Sequence, residues 1–443
     1  MSRYHRFFRI LGLGFSLGAA GMASSAAFGQ TSALTLEQAL ARAEEANISL
    51  KLSRETAQQA LGLAQQQRVS LLPNVSLNAQ QKRSESVALT DKVPVQGATV
   101  NRYDGKLVGS LEVLNPQSWS IYQSARKGVQ VAQLDVASMQ QSALSSVSIA
   151  YFTHLRNLRR LDVLDANVQR AQTLLTLSQN QASAGVATKI DVTRAESQLA
   201  QANLARMQHS TTLVSSELSI ERLLELPTDI PIRLQVVSLR KEKTAELNSE
   251  TLRRLRDRRP DYQRALAAVE QAKMDVRSAR WQRLPSVALN GEYGKVSAKV
   301  GNSGEKDAWL ASAAVSLPIF DGLKSSADHR VALSRQRVQE LRLQQLSTQI
   351  DAELRLARQD SDSRSAQIAV AETSLRLARE ELQLARARFE QGVADNREVV
   401  EAQNQLAVAE DGLVEAEYMY NLARVELARA QGDIKAVLSE IDR

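Results

Sequence analysis

The 443-residue chain contains no cysteine, so it forms no disulfide and offers no thiolate as nucleophile or metal ligand. Aromatic residues make up only 4%. There are four His, one of them at position 5, which is too few for a convincing metal site. The chain has no phosphate-cradling Gly loop and no nucleophile set among His and acid, so neither an enzyme nor a cofactor is expected. Beyond the first 29 residues no stretch approaches the roughly 18 consecutive apolar residues of a membrane-spanning helix. If the chain enters a bilayer, it does so with strands. A formal charge of +7 gives no reason to expect nucleic acid.

The N-terminus has the order of a secretory signal. Arg3, Arg6 and Arg9 precede an apolar run from Ile10 to Ala20, and Ala27-Phe28-Gly29 supplies small residues for cleavage before Gln30. A short membrane anchor is the alternative, but the run is short and Gly-rich. Cleavage removes three Arg and no acid, leaving about +4.

What is abundant is Ala, Gln, Leu, Arg, Glu and Ser, the composition of long helices. The chain also repeats itself. Ala184-Gly185-Val186-Ala187 leads into Ile190-Asp191-Val192, and 207 residues on Gln391-Gly392-Val393-Ala394 leads into Arg397-Glu398-Val399. Each motif separates two heptad-like runs, so each Gly reads as the tip of an antiparallel helical hairpin, where left-handed backbone angles are needed. At an offset of 212, Leu72-Pro73-Asn74-Val75-Ser76-Leu77-Asn78 meets Leu284-Pro285-Ser286-Val287-Ala288-Leu289-Asn290 without a gap. Both copies alternate apolar and polar, as a strand with two unlike faces does.

In chain order, Ala33–Ala46 is a helix with a Thr35/Gln38 capping box, and Ile48–Leu71 is a second helix. Strands follow over Asn74–Asn78 and Leu107–Val113, separated by a polar loop from Ser84 to Tyr103. A Pro-free run from Gln117 to Ser183 allows one helix on the order of 100 Å long. Its return partner runs from about Lys189 to Leu226. The second unit repeats this plan, with a strand over Ala311–Leu317, a long helix to Gln391 and a partner from about Arg397 to Leu438. The division is a signal at 1–29, a first repeat at 30–226, a linker without counterpart at 227–258 and a second repeat at 259–443. Four short strands cannot close a barrel around a lumen alone, whereas three chains sharing one barrel would supply twelve.

The duplicated Leu-Pro-strand junction, the run Leu317-Pro318-Ile319-Phe320-Asp321-Gly322 after a strand, and the two Gly tips together resemble the TolC-type outer-membrane channel family over about Leu34–Leu438. The resemblance implies a mostly helical α+β fold. In it a homotrimer forms an α-barrel tunnel in the periplasm beneath a shared 12-stranded transmembrane β-barrel in the outer membrane. It implies an exit duct of a tripartite efflux pump or type I secretion system, joined through a periplasmic adaptor to an inner-membrane transporter of RND or ABC type. A non-channel coiled-coil scaffold of the cell envelope is the competing reading. It accounts for the helices but not for the duplicated strands.

The same resemblance suggests roles for residues. Gly185-Val186 and Gly392-Val393 are adaptor-contact candidates; the plainer reading is that they only turn the chain. Glu398 and Glu401 share a helix face by their spacing. They match two acids that ring the family's periplasmic entrance, and otherwise are a solvated helix start. Asp191 matches a residue that latches the entrance shut, with Arg194 or Arg397 as substitute partners. Ala394 and Phe389 stand where some members carry Arg and Tyr, which removes two polar latch contacts. In the strands, Val75, Leu77, Leu107, Leu111, Val113, Val287, Leu289, Val315 and Leu317 are expected to face lipid. Asn74, Ser76, Asn78, Ser110, Glu112, Ser286, Asn290, Ser312 and Ser316 are expected to face the lumen. A soluble sheet packed on a core would alternate in the same way. Trp119, Trp281 and Trp309 lie near strand ends, where interfacial aromatics sit.

Overall fold

A computed structural model describes residues 33–85, 87–90, 93–227, 232–237, 239, 248–301 and 304–441. The signal expected at 1–29, and much of the stretch between 227 and 248, lie outside them.

The first unit opens with α1 (Leu36–Ala46), started by the expected capping box: Thr35 Oγ1 accepts from Gln38 N and Gln38 Oε1 from Thr35 N, both at 3.1 Å. Then come α2 (Ile48–Val69), β1 (Asn74–Ser84), β2 (Val87–Thr90), β3 (Val93–Gln96), β4 (Val100–Leu114), α3 (Pro116–Ser183) and α4 (Lys189–Leu224). The second unit has α5 (Ser249–Arg258), α6 (Pro260–Trp281), β5 (Ser286–Ser297), β6 (Lys306–Ser316), α7 (Lys324–Glu390) and α8 (Asn396–Gln431). The duplication holds closely in helix length. Helices α2 and α6 have 22 residues each, α3 and α7 have 68 and 67, and α4 and α8 have 36 each.

Three expectations need correction. The end of the stretch at 227–258 does have a counterpart, because α5 sits about 212 residues after α1 and precedes α6 as α1 precedes α2. Its Arg-rich composition hides that equivalence. The strands run well past their alternating centres, to Ser84 and back to Val100, and the stretch between carries the β2–β3 hairpin. Alternation marks where one face meets an apolar medium, whereas the hydrogen-bond ladder continues without it. Helix α8 stops at Gln431, not Leu438: Gly432 takes φ 85° and a 3₁₀ segment follows over Ile434–Glu440.

The main sheet is antiparallel in the order β1-β4-β5-β6, so β1 and β6 are its edges. The long helices α3 and α7 run from the sheet to the tips. Near the sheet the contacting neighbours are α2–α3–α6–α7; toward the tips they are α4–α3–α8–α7. Inside each hairpin the contact is mainly apolar, crossed in the first by Arg206–Asp165 and by His154 on Ser216. Between hairpins, α3 and α8 are joined by Arg156–Glu415, Arg159–Glu417, Arg160–Asp411 and Arg170–Glu410.

The largest core lies at mid-length, where Leu36, Leu40, Tyr151, Phe152, Ile220, Ile368, Tyr420 and Ile434 come together. The segment between the units is tied there by ladder contacts Leu34–Leu234 and Leu239–Ile441. The two units are also stapled alike. Asn47, at the start of α2, donates to Leu223 O at the end of α4 (3.1 Å), and Arg259, at the start of α6, donates to Ala430 O at the end of α8 (3.2 Å).

Candidate functional site

Two regions hold the residues singled out in the sequence: the hairpin tips and the sheet. At the first tip α3 ends and Gly185 takes φ 76°; Val186 N returns to Gln181 O at 2.9 Å. At the second, Gly392 takes φ 71° and Val393 N returns to Arg388 O at 3.0 Å. A side chain at either Gly would strain that left-handed turn.

The structure brings the two tips together within one chain. A Cβ placed on Gly392 would lie 3.7 Å from Val186 Cγ1. Asn396, fully buried, donates to Asp191 O at 2.6 Å, and Gln181 donates to Phe389 O at 3.3 Å. One step along, Gln198 donates to Asn404 Oδ1 at 2.7 Å. Phe389, Val399, Ala195, Ala402 and Leu382 form the apolar floor beneath. Val186 and Val393 themselves are exposed. Sequence reading missed Gln181, Asn396 and Asn404; each is an amide on a helix near a tip, and only packing shows which of many such amides cross between hairpins.

The acids at the third position of the two return helices behave differently. Asp191 is buried and folds back on Thr188, accepting from its backbone N at 3.0 Å and its hydroxyl at 2.6 Å. Its other oxygen meets Arg194 at 3.5 Å, so of the two candidate partners Arg194 is the one that approaches. At the second tip Asp395 takes the capping role, accepting from Arg397 N at 3.0 Å. This leaves Glu398 free to turn outward, where it meets Arg388 at 3.4 Å with both side chains about half exposed. Such a pair contributes about 1 kcal/mol or less. Glu401 is exposed one turn further on. Phe389 is packed into the floor with 3% of its surface exposed, so its ring serves packing.

In the sheet the pairing register sorts side chains cleanly. Val75, Leu77, Leu107, Gly109, Leu111, Leu289, Gly291, Tyr293, Trp309, Ala313 and Val315 fall on one face, since partners across a ladder share a face. Asn74, Ser76, Asn78, Ser110, Asn290 and Ser312 fall on the other, with Ser286, Ser316 and Glu112. That polar face carries the pairs Lys106–Glu292 (3.0 Å) and Arg102–Asp104 (2.8 Å). Two of the assigned residues fall elsewhere: Val113 sits at a register irregularity, where Leu114 takes the place opposite Val287, and Leu317 lies past the end of β6. Trp309 is 76% exposed opposite Tyr293, whereas Trp119 and Trp281 belong to α3 and α6. The apolar face is uncovered by this chain, and among the described residues no helix is long and apolar enough to cross a membrane.

A sheet with one bare apolar face, standing at the end of two helices about 100 Å long, defines a class of envelope protein that meets lipid with strands and extends into water with helices. The chain belongs to the outer membrane efflux protein family, which it matches over residues 35–225 and 251–433. It is similar to the probable efflux pump outer membrane protein TtgC of Pseudomonas putida, 27% identical over 59% of this chain and 55% of TtgC. It is also similar to the outer membrane protein OprJ of Pseudomonas aeruginosa, 24% identical over 76% of this chain and 69% of OprJ. The match thus spans about half the length of TtgC. Among solved structures, the Campylobacter jejuni CmeC outer membrane channel has the same fold, with TM-score 0.81 at 19% identity, covering 91% of this chain and 88% of that one. A membrane protein from Pseudomonas aeruginosa superposes with TM-score 0.81 at 22% identity, covering 90% and 93%.

Proposed function

We propose that three copies of this chain form an outer-membrane exit duct, conducting substrates passively from an inner-membrane transporter of RND or ABC type to the outside. One observation carries the reading: every free edge of the chain is built to continue into another copy. The sheet ends in two unpaired strands, β1 and β6. The tip-half helix layer ends in α4 and α7, each with an exposed apolar stripe near heptad spacing. On α7 it is Val370, Leu377 and Leu384; on α4 it is Leu204, Met207, Val214 and Leu218. A face that meets a different face closes a ring when the rotation allows it. Three four-stranded sheets supply the twelve strands that leave an open lumen, and closure removes the edges that hydrocarbon would not tolerate.

In that assembly the apolar strand face meets lipid and the polar face lines the pore. Exposed Val186 and Val393 at the Gly185 and Gly392 tips meet a periplasmic adaptor. Glu398 and Glu401 from three copies place six carboxylates near the entrance and favour cations. Asp191, held by Thr188 and Arg194, sets the tip geometry beside them. Residues 1–29 direct export.

The test is single-channel conductance in planar bilayers, wild type beside Glu398→Ala with Glu401→Ala. Cation-selective pores that lose selectivity in the double variant are expected. Unchanged selectivity would remove the acidic entrance, and folded trimers that never conduct would remove the duct.

A further inference from the structure

The duplication is broken where sheet passes into long helix. Between β4 and α3 a single residue, Asn115, makes the passage from strand to helix. Between β6 and α7 there are seven, residues 317–323. The extra residues include the two most exposed large apolar side chains among the described residues, Ile319 at 94% and Phe320 at 81%, flanked by exposed Leu317 and Leu323.

This loop is held firmly although its apolar residues are exposed. Asp321 accepts from Ser325 N at 2.9 Å, and Arg283 reaches across to Ser325 Oγ at 2.8 Å and Ser326 Oγ at 2.6 Å. Gly322 and Leu323 both take positive φ, 66° and 69°. Glycine accepts that conformation, but Leu does so only under strain, and a strained residue kept beside uncovered apolar groups marks a place shaped for a contact.

Position tells what covers it. Strand β4 and helix α3 are interior to the chain, with neighbours on both sides, and their junction is short. Strand β6 is an edge of the sheet, and α7 is an edge of the helix layer, so the long junction lies wholly on one free edge. The opposite free edge is formed by β1 and α2, and the junction between those two exposes Val69 and Leu72.

We infer that residues 317–323 are a clasp, in which Ile319, Phe320 and Leu323 of one copy close over Val69 and Leu72 of a second copy where the strand barrel meets the helical tunnel. The inference rests on the ring of three copies proposed above and names the contact that locks it at this level. An edge junction needs such a contact because the β6 ladder ends at Ser316 and the stripe on α7 lies in its tip half, so neither binds the copies across it.

The absence of cysteine makes the test direct. Phe320→Cys is combined in turn with Leu72→Cys and with Val69→Cys in the full chain, and outer membranes are oxidised with copper phenanthroline. Covalent dimers and trimers, reversible by reductant and absent from each single variant, are expected for at least one pair. A second measurement uses Ile319→Ser with Phe320→Ser, expected to release monomers at temperatures where the wild type stays trimeric. If trimers form but neither pair cross-links, and a nitroxide at Phe320→Cys is relaxed by membrane-dissolved oxygen, lipid covers the loop and the clasp is overturned. If the wild type is itself monomeric in light scattering, the ring fails first and takes the clasp with it.

Discussion

Replacing Arg259 with Met tests how the two duplicated units are held at mid-length. The guanidinium has 7% of its surface exposed and bonds to Asp261 at 3.1 and 2.7 Å, to Glu353 at 2.9 Å and to Ala430 O at 3.2 Å, joining the start of α6 to the middle of α7 and the end of α8. Met keeps the length of the stem but leaves two carboxylates without their hydrogen-bonded cation, with only the charge of Arg429 nearby. Breaking a buried pair costs about 3–5 kcal/mol. Both carboxylates retain roughly a quarter of their exposure, so the lower end applies, about 3 kcal/mol. The equivalent change in the first unit, Asn47→Ala, removes neutral bonds to Leu50 N (3.2 Å) and Leu223 O (3.1 Å) and should cost about 1–2 kcal/mol. Urea unfolding of detergent-solubilised protein at fixed concentration, followed by circular dichroism, compares the two. The pH dependence separates charge from packing. Burial alone would push the Asp261 carboxyl up, but the Arg259 hydrogen bonds and charge outweigh it and hold it below the usual carboxylate range. A depressed folded-state value stabilises above the unfolded pKa of about 3.9 and is lost as pH falls through the folded one. The wild-type advantage over Arg259→Met should therefore be full near neutrality and shrink below about pH 4. A cost under about 1 kcal/mol, or a difference constant from about pH 3 to 7, would refute the reasoning.

Two further outcomes follow from buried geometry. His154 is almost wholly buried, with Nδ1 2.9 Å from Ser216 Oγ; that hydroxyl already donates to Leu213 O at 2.7 Å. Burial lowers its pKa, only partly offset by the charge of Glu217, so the unfolded chain binds the extra proton first. Melting temperature should fall as pH drops through about 6.5, and His154→Gln should flatten that slope; an unchanged slope would rule His154 out as its source. Gly294 stands where a Cβ would come 2.2 Å from Gly105 O and 2.6 Å from Lys106 Cα. Gly294→Ala must therefore spread β4 from β5 near the Lys106–Glu292 pair, and heat-modifiable gel mobility should show a less stable barrel; wild-type stability would mean the strands part at little cost.

Much of the fold was legible because duplication and periodicity are written in consecutive residues. Gly185 and Gly392 mark turns that few other residues make, the Leu-Pro pairs end helices α2 and α6, and the alternation at Val75–Leu77 and Val287–Leu289 shows two unlike faces. The same residues located the tips and both sheet faces. Other features escaped because they depend on partners distant in the chain. The kinship of α5 with α1 was hidden by a change of composition, since a short surface helix needs few apolar residues. The strand ends were hidden because backbone pairing of Gln80–Ser84 with Val100–Asp104 leaves no side-chain pattern.

At the tips, sequence alone placed Asp191 and Glu398 at equivalent positions. Only the tertiary structure decided that one is turned inward to cap its helix and the other outward to Arg388. The shorter Asp side chain folds back on Thr188, while Asp395 already caps the second helix and leaves the longer Glu to reach across the turn. Sequence by itself therefore determined the duplicated plan of long helices, tips and strand centres and which face of each strand is apolar, because these follow from local backbone preference and side-chain period. Tertiary structure decided which elements lie at the edge of the chain. Edges are where groups lack partners within one copy, and no local pattern records that.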